Sequence, residues 1–141
     1  MKKLIIALFV LSIMAPSCKK SKSEAAANLL LYIMTTGEWK MYRYAEGVDT
    51  TTSKWNGFTF KFYDNLSVDA KKNGTVIANG SWSISLDSNF YANFPTTTND
   101  TLKMLNGNWK WKDSGLGDST NPAYVKAFHK ITGDYLHLIK Q

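Results

Sequence analysis

The chain has 141 residues, 44% of them apolar and 13% aromatic, which suits one domain with a single core and excludes a largely disordered protein. It carries 17 basic against 11 acidic residues, and removal of Lys2 and Lys3 with an N-terminal signal would leave 15 against 11. An excess this small, spread along the chain, is typical of a solubilising surface and argues against a nucleic-acid-binding protein.

The N-terminus has the three-part pattern of an export signal. Two lysines are followed by an apolar run over residues 4–14 and by Ala15-Pro16-Ser17, directly before Cys18, the one cysteine of the chain. The apolar run is too short to span a membrane, which takes about 20 residues. The pattern resembles a bacterial lipoprotein signal with its lipobox. That resemblance implies cleavage before Cys18 and acylation of its thiol and amine, with palmitate among the acyl chains.

We therefore expect a signal peptide over residues 1–17, an acylated cysteine and flexible tether over 18–28, and a folded domain over 29–141. Residues 19–24 are small, charged and aperiodic, which is typical of a tether. The lipid would anchor the domain to a membrane of the cell envelope. The resemblance to such lipoproteins implies that this is the outer membrane. The alternative is plain secretion, which would leave Cys18 as a free thiol in an oxidising compartment.

A short helix is predicted from Glu24 to Met34, where alanine and leucine dominate and an acidic residue stands near the helix N-terminus. The helix should end at Thr35-Thr36-Gly37.

After the helix, short segments alternate between apolar and polar residues, which predicts β-strands. The clearest is residues 57–63, where Phe58, Phe60 and Phe62 alternate with polar neighbours. Other strands are predicted at 38–45, 67–71, 75–78, 81–85, 90–94, 108–112 and 135–140. Asn79-Gly80 is predicted as a turn or bulge between two of them.

The sequence pattern does not assign three segments to a helix or a strand. Residues 101–105 fit a helical turn or the start of a strand, residues 113–122 are irregular, and residues 123–130 fit helical or strand spacing.

About eight short strands separated by turns predict an antiparallel meander that closes into a barrel or a sandwich. The order of landmarks is similar to that of the lipocalin-like lipoproteins of Gram-negative bacteria. The landmarks are Gly37-Glu38-Trp39, the Phe strand, Gly80-Ser81-Trp82, Leu105 with Trp109, and Tyr135-Leu136-His137-Leu138. The resemblance implies an all-β fold, an up-and-down barrel of about eight strands with a short N-terminal helix. It makes residues 113–132 an insertion in a usually short hairpin.

The sequence contains no nucleotide-binding, serine-hydrolase or metal-ligand motif, so we expect a non-enzymatic protein with no cofactor and no metal. Two hypotheses for its function remain. In the first, six aromatic residues line a site for a small hydrophobic ligand inside the barrel: Trp39, Phe58, Phe60, Phe62, Trp82 and Trp109. In the second, these residues fill the core, and the protein binds a protein or glycan partner through the loops 47–56 and 113–132. Trp55 and Trp111, if exposed, would belong to that binding surface.

Overall fold

The computed structural model describes residues 17–87 and 89–141, so the predicted signal segment up to residue 16 lies outside it. The helices are α1 (Ser17–Thr35) and α2 (Asp100–Lys103), with a 3-10 helix at Thr52–Trp55. The strands are β1 (Trp39–Glu46), β2 (Asp49–Thr50), β3 (Phe58–Phe62), β4 (Ser67–Lys72), β5 (Thr75–Ser85), β6 (Asn89–Asn93), β7 (Gly107–Gly115), β8 (Tyr124–His129) and β9 (Tyr135–Lys140).

The strands form one antiparallel sheet that closes on itself. Successive strands from β3 to β9 lie side by side, β1 pairs with β3, and β9 returns to pair with β1 from Trp39↔Lys140 to Ala45↔Tyr135. Eight strands thus make a closed barrel, and the two-residue β2 extends β1 on one side. The predicted all-β, up-and-down barrel is confirmed.

The core of the barrel is built by side chains that alternate between the inside and the outside of the strands, most regularly in β3. In β3 the three phenylalanines are buried while Thr59 and Lys61 are half-buried. The β4–β5 hairpin turns at Asn73-Gly74, both with positive φ (50° and 81°), as an Asn-Gly pair readily allows.

The predicted turn or bulge at Asn79-Gly80 is wrong, because β5 runs unbroken through it. Asn79 pairs with Asp69 and Gly80 pairs with Val68, and the irregularity lies at Ile77 instead. A Cβ on Gly80 would lie 2.4 Å from the carbonyl oxygen of Asn93. The glycine therefore permits two strands to approach closely and does not turn the chain.

Helix α1 begins at Ser17, seven residues before the predicted start, and includes residues 19–24, where a flexible tether was expected. The reason is that its lysine, serine, glutamate and alanine residues tolerate a helix, and no glycine or proline interrupts it. At the other end Leu30, Ile33 and Met34 are buried. Among the helices described for residues 17–87 and 89–141, none is long and apolar enough to cross a membrane.

The segments left open by the sequence are now assigned. Residues 101–103 belong to the short helix α2, which is capped by the Asn99 side chain; this side chain accepts a hydrogen bond from the Leu102 N–H at 3.2 Å. Residues 123–130 hold strand β8. Of residues 113–122, which were expected to be irregular, 113–115 instead continue β7, and an irregular loop of residues 116–123 leads to β8, which pairs with β7.

Candidate functional site

All six aromatic residues predicted to face the barrel interior do so, and all are buried in one core cluster. Their exposed fractions are 0% for Trp39 and Trp109, 1% for Phe60 and Trp82, 2% for Phe62 and 3% for Phe58. A side chain that lined a water-sized cavity would expose part of its surface to that cavity. These side chains expose almost none, so they pack against their neighbours.

Contacts between the rings account for this packing. The centroid of Phe62 lies 5.3 Å from that of Trp82 and 5.9 Å from that of Phe90, both edge to face. Phe60 lies 6.1 Å from Trp55, which in turn lies 5.6 Å from Phe58. Edge-to-face aromatic pairs at these distances are favourable beyond the area that they bury.

The three fully buried tryptophans also fix the connections between strands. Each indole N–H donates to a backbone carbonyl oxygen at 2.9 Å: Trp39 to Met34, Trp82 to Tyr63, and Trp109 to Leu105. The acceptors lie in α1, in the β3–β4 turn and in the segment after α2. These hydrogen bonds hold α1, the β3–β4 turn and the segment after α2 against the core of the barrel.

Trp55 does not belong to a binding surface. The condition for that hypothesis was exposure, and Trp55 is 2% exposed. The 3-10 helix turns its ring inward, where the centroid lies 5.2 Å from that of Tyr44. The polar residues next to Trp55 in the sequence are typical of an exposed loop, but its ring packs in the core cluster.

Trp111 is half-buried and stacks on Phe90, with ring centroids 6.0 Å apart and planes 14° from parallel. It packs against the edge of the core. Within the described residues its indole N–H and that of Trp55 are buried without an acceptor. Trp111 is therefore not the exposed binding residue that the hypothesis required.

The barrel end near Trp55 is closed by polar contacts around Tyr44. Its hydroxyl lies 3.3 Å from the Met104 carbonyl oxygen and 3.4 Å from Asp134 Oδ2. Burial, followed by the negative charge of Asp134, raises the pKa of Tyr44 well above its ordinary value. The phenol of Tyr44 thus stays neutral, and its hydroxyl joins β1 to Met104 and Asp134 by hydrogen bonds.

Two shallow depressions on the outside of the barrel have volumes of about 360 and 320 Å³. The first lies between Lys72, Ile77 and the threonines 96–98, and the second between Leu116, Asn121 and Lys140. Neither depression is lined by any of the eight aromatic residues selected from the sequence, whereas most of the residues that line the second belong to the predicted loop 113–132. Within the described part of the chain, no group of three or more metal-ligating side chains comes together.

Most residues of the predicted surface loops 47–56 and 113–132 are exposed. In loop 47–56, Val48 is 99% exposed, whereas Trp55 is buried. In 113–132, Asp118 Oδ1 accepts hydrogen bonds from the Thr120 hydroxyl and from the N–H groups of Thr120 and Asn121, and these bonds lower the pKa of Asp118. The Asp118 carboxylate thus stabilises the conformation of its own loop through local hydrogen bonds.

The outer face of β7, β8, β9 and β1 carries a group of residues that the sequence analysis did not select as a site. Cross-strand pairing arranges them in three rows. The rows are Gly115, Tyr124, Ile139 and Lys40; Asp113, Lys126, His137 and Arg43; and Lys110, Phe128, Tyr135 and Ala45. We call these twelve residues, with Tyr42 and Lys112, the basic aromatic face.

Tyr42 and Lys112 are the extra residues of two β-bulges on this face. The register of β1 shifts between Met41 and Arg43, and that of β7 shifts between Trp111 and Asp113. Both bulged side chains are exposed, Tyr42 to 60%. Bulges redirect side chains, and these two direct an aromatic ring and a cation to the outside.

Aromatic rings and cations on the basic aromatic face are in direct contact. Lys126 Nζ lies 4.7 Å from the centroid of the Tyr124 ring, and Lys112 Nζ lies 5.0 Å from that of Phe128. His137 has the rings of Tyr42 and Tyr124 edge-on at 4.9 and 5.8 Å. Desolvation, and then the charge of Lys126, lower the pKa of His137, so its imidazole is neutral at pH 7.

The sequence contained a partial signal for this face. Lys40 and Tyr42, and Lys110 and Lys112, stand at alternate positions opposite buried tryptophans. Only the register of the closing strands shows that these residues come together, since β1 and β7 are joined through the last two strands of the chain.

No family model and no curated protein matches the sequence. Among solved structures, the crystal structure of a DUF4847 family protein from Bacteroides vulgatus is similar, with a TM-score of 0.55 and 16% sequence identity over 79% of this chain and 99% of that one. A likeness at this identity shows the fold alone.

Proposed function

We propose that this chain is a lipid-anchored, lipocalin-like protein of the bacterial cell envelope, with a filled barrel and a function carried by its outer surface. In this proposal it is not an enzyme and uses no cofactor. One observation carries it: the six aromatic residues that would line an internal ligand site expose 0 to 3% of their surface. A buried ligand of drug-like size needs a site of roughly 300 Å³ or more. The tight packing supports an external binding surface over an internal one.

The anchoring part of the proposal rests on the N-terminal sequence. Cys18 follows a charged start, an apolar run and three small or chain-breaking residues, an order that resembles a bacterial lipoprotein signal. Two or more acyl chains hold a protein on a membrane stably, whereas one chain does not. Anchored in this way, the domain would lie at the outer membrane, joined to its lipids through Cys18 near the start of α1.

Native mass spectrometry tests the filled barrel. A chain of residues 17–141 carrying Cys18→Ser keeps every described strand and helix. Exported in a Gram-negative host behind a cleavable signal from another protein, it should show its bare polypeptide mass. Trp82→Ala provides the matched positive control, because removal of a ring packed between Phe62 and Phe90 should leave an apolar cavity that takes up added indole. A mass excess on the parent chain that disappears on denaturation would restore the internal-ligand hypothesis.

Metabolic labelling with an alkyne fatty acid tests the anchor. We expect the full chain to incorporate the label and sediment with membranes, and Cys18→Ser to abolish both, because the thioether to diacylglycerol can form only on the thiol. Ser17→Ala is the matched control, since it keeps a small residue before the cysteine and should leave labelling intact. Labelling that persists in Cys18→Ser would overturn the anchor assignment.

A further inference from the structure

We propose that the basic aromatic face docks on the anionic phospholipid headgroups of a membrane. The inference rests on the proposed function only for the presence of a membrane near the domain. The face itself is defined by strand register and does not depend on the anchor.

Charge is the first argument. Among the fourteen residues of the face, all in described strands, five are basic and one is acidic: Lys40, Arg43, Lys110, Lys112 and Lys126 against Asp113. Each basic residue near an anionic leaflet strengthens binding by roughly fivefold. Lys126 Nζ lies 3.4 Å from Asp113 Oδ2, which leaves four cations of this face without an acidic partner among the described residues. Such an excess matches a surface of phosphate groups.

The outer side of the β5–β6 pair differs from this face. Its cross-strand pairs are Ser81↔Asn93, Ser83↔Tyr91 and Ser85↔Asn89, which carry no charge. Strands β3 and β4 carry Lys61, Lys71 and Lys72, of which Lys71 pairs with Glu38. Five of the nine basic residues in the described strands thus lie on the basic aromatic face, and this uneven distribution favours one orientation of the domain at a charged surface.

The aromatic residues favour a membrane over a single-stranded nucleic acid. Tyrosine rings with hydroxyl tips suit the headgroup region, and Tyr42, Tyr124 and Tyr135 lie on this face. Binding of single strands instead needs free ring faces for base stacking. Here cations already cover the faces of Tyr124 and Phe128, and Arg43 lies 5.8 Å over Tyr135.

The connection to the N-terminus is consistent with this docking. Helix α1 ends at Thr35, and Lys40 of the face follows it by five residues, at the start of β1. The chain that leads from Cys18 therefore enters the barrel through one of the four strands of the face.

Vesicle sedimentation tests the proposal without the anchor. The chain of residues 17–141 carrying Cys18→Ser should bind vesicles of one part phosphatidylglycerol to two parts phosphatidylcholine at low salt, and should not bind phosphatidylcholine alone. Lys110→Gln with Lys112→Gln should weaken binding roughly 10- to 30-fold. The matched control is Lys54→Gln with Lys103→Gln, which removes the same charge from lysines paired with Glu46 and Asp100 outside the face.

The outcomes separate the alternatives. No binding to the anionic vesicles, or equal loss in the two double variants, would overturn the proposal and leave the filled barrel and the anchor unaffected. Tighter binding to a single-stranded oligonucleotide than to vesicles would overturn it in favour of a nucleic-acid surface. Tyr42→Ser alone should also weaken vesicle binding, because the exposed ring at the bulge would no longer contact the headgroups. The fold should be retained, since this ring is 60% exposed.

Discussion

Trp109→Ala should lower the free energy of unfolding by about 3 to 5 kcal/mol, the usual cost of truncating a fully buried tryptophan. The ring is 0% exposed and lies edge to face with Tyr44 and His129 at 6.2 and 4.9 Å. Its N–H also donates to the Leu105 carbonyl, which the substitution would leave without that partner. Urea denaturation followed by circular dichroism measures the loss.

Trp111→Ala is the matched control on the same strand. Trp111 is half-buried and its buried N–H has no acceptor in the described structure, so no hydrogen bond is lost. We expect a loss of about 1 to 2 kcal/mol, from apolar area alone. Equal losses for the two substitutions would contradict the assignment of Trp109 to the centre of a packed core.

Gly80→Ala should also destabilise the barrel, by about 1 to 3 kcal/mol, although it adds only a methyl group. Replacing a glycine within a strand by alanine is ordinarily favourable, because alanine restricts the unfolded chain. Here the new Cβ would meet the Asn93 carbonyl oxygen at 2.4 Å and the Phe94 ring at 2.7 Å. A backbone oxygen held in the β5–β6 ladder has little room to move, so the clash outweighs the gain. Thermal unfolding gives the sign directly.

Ser81→Ala is the control for Gly80→Ala, because Ser81 is the next residue in β5, is exposed and pairs outward with Asn93. Its effect should stay within about 0.5 kcal/mol, as for most surface substitutions. A stabilising Gly80→Ala would show that β5 and β6 do not approach as closely as described.

The sequence predicted the features that depend on local alternation. Strand β9 has the predicted bounds, and the Phe strand differs by one residue at each end. Buried and half-buried residues alternate over all five positions of β3 and over the first five positions of β9, so the period of two was unambiguous.

Features that depend on residues far apart in sequence could not be predicted from local alternation. Gly80 follows an asparagine and therefore resembled a turn, but its role is set by Asn93 on the neighbouring strand. Trp55 stands among polar residues, yet it is buried because a 3-10 helix turns it toward Tyr44. The basic aromatic face was missed for the same reason, since its rows combine strands from both ends of the domain.

The closure of the barrel by its first and last long strands has a consequence for how the chain folds. Every other pairing in the barrel except β1–β3 joins strands that follow one another, and such hairpins form with short loops and small entropy losses. The β1–β9 seam instead has to wait for nearly the whole domain to be available, and non-local pairings of this kind slow folding. Until the seam forms, both strands expose unpaired edges that invite association with other chains. Assembly before closure is therefore the stage at which this protein is most vulnerable to aggregation.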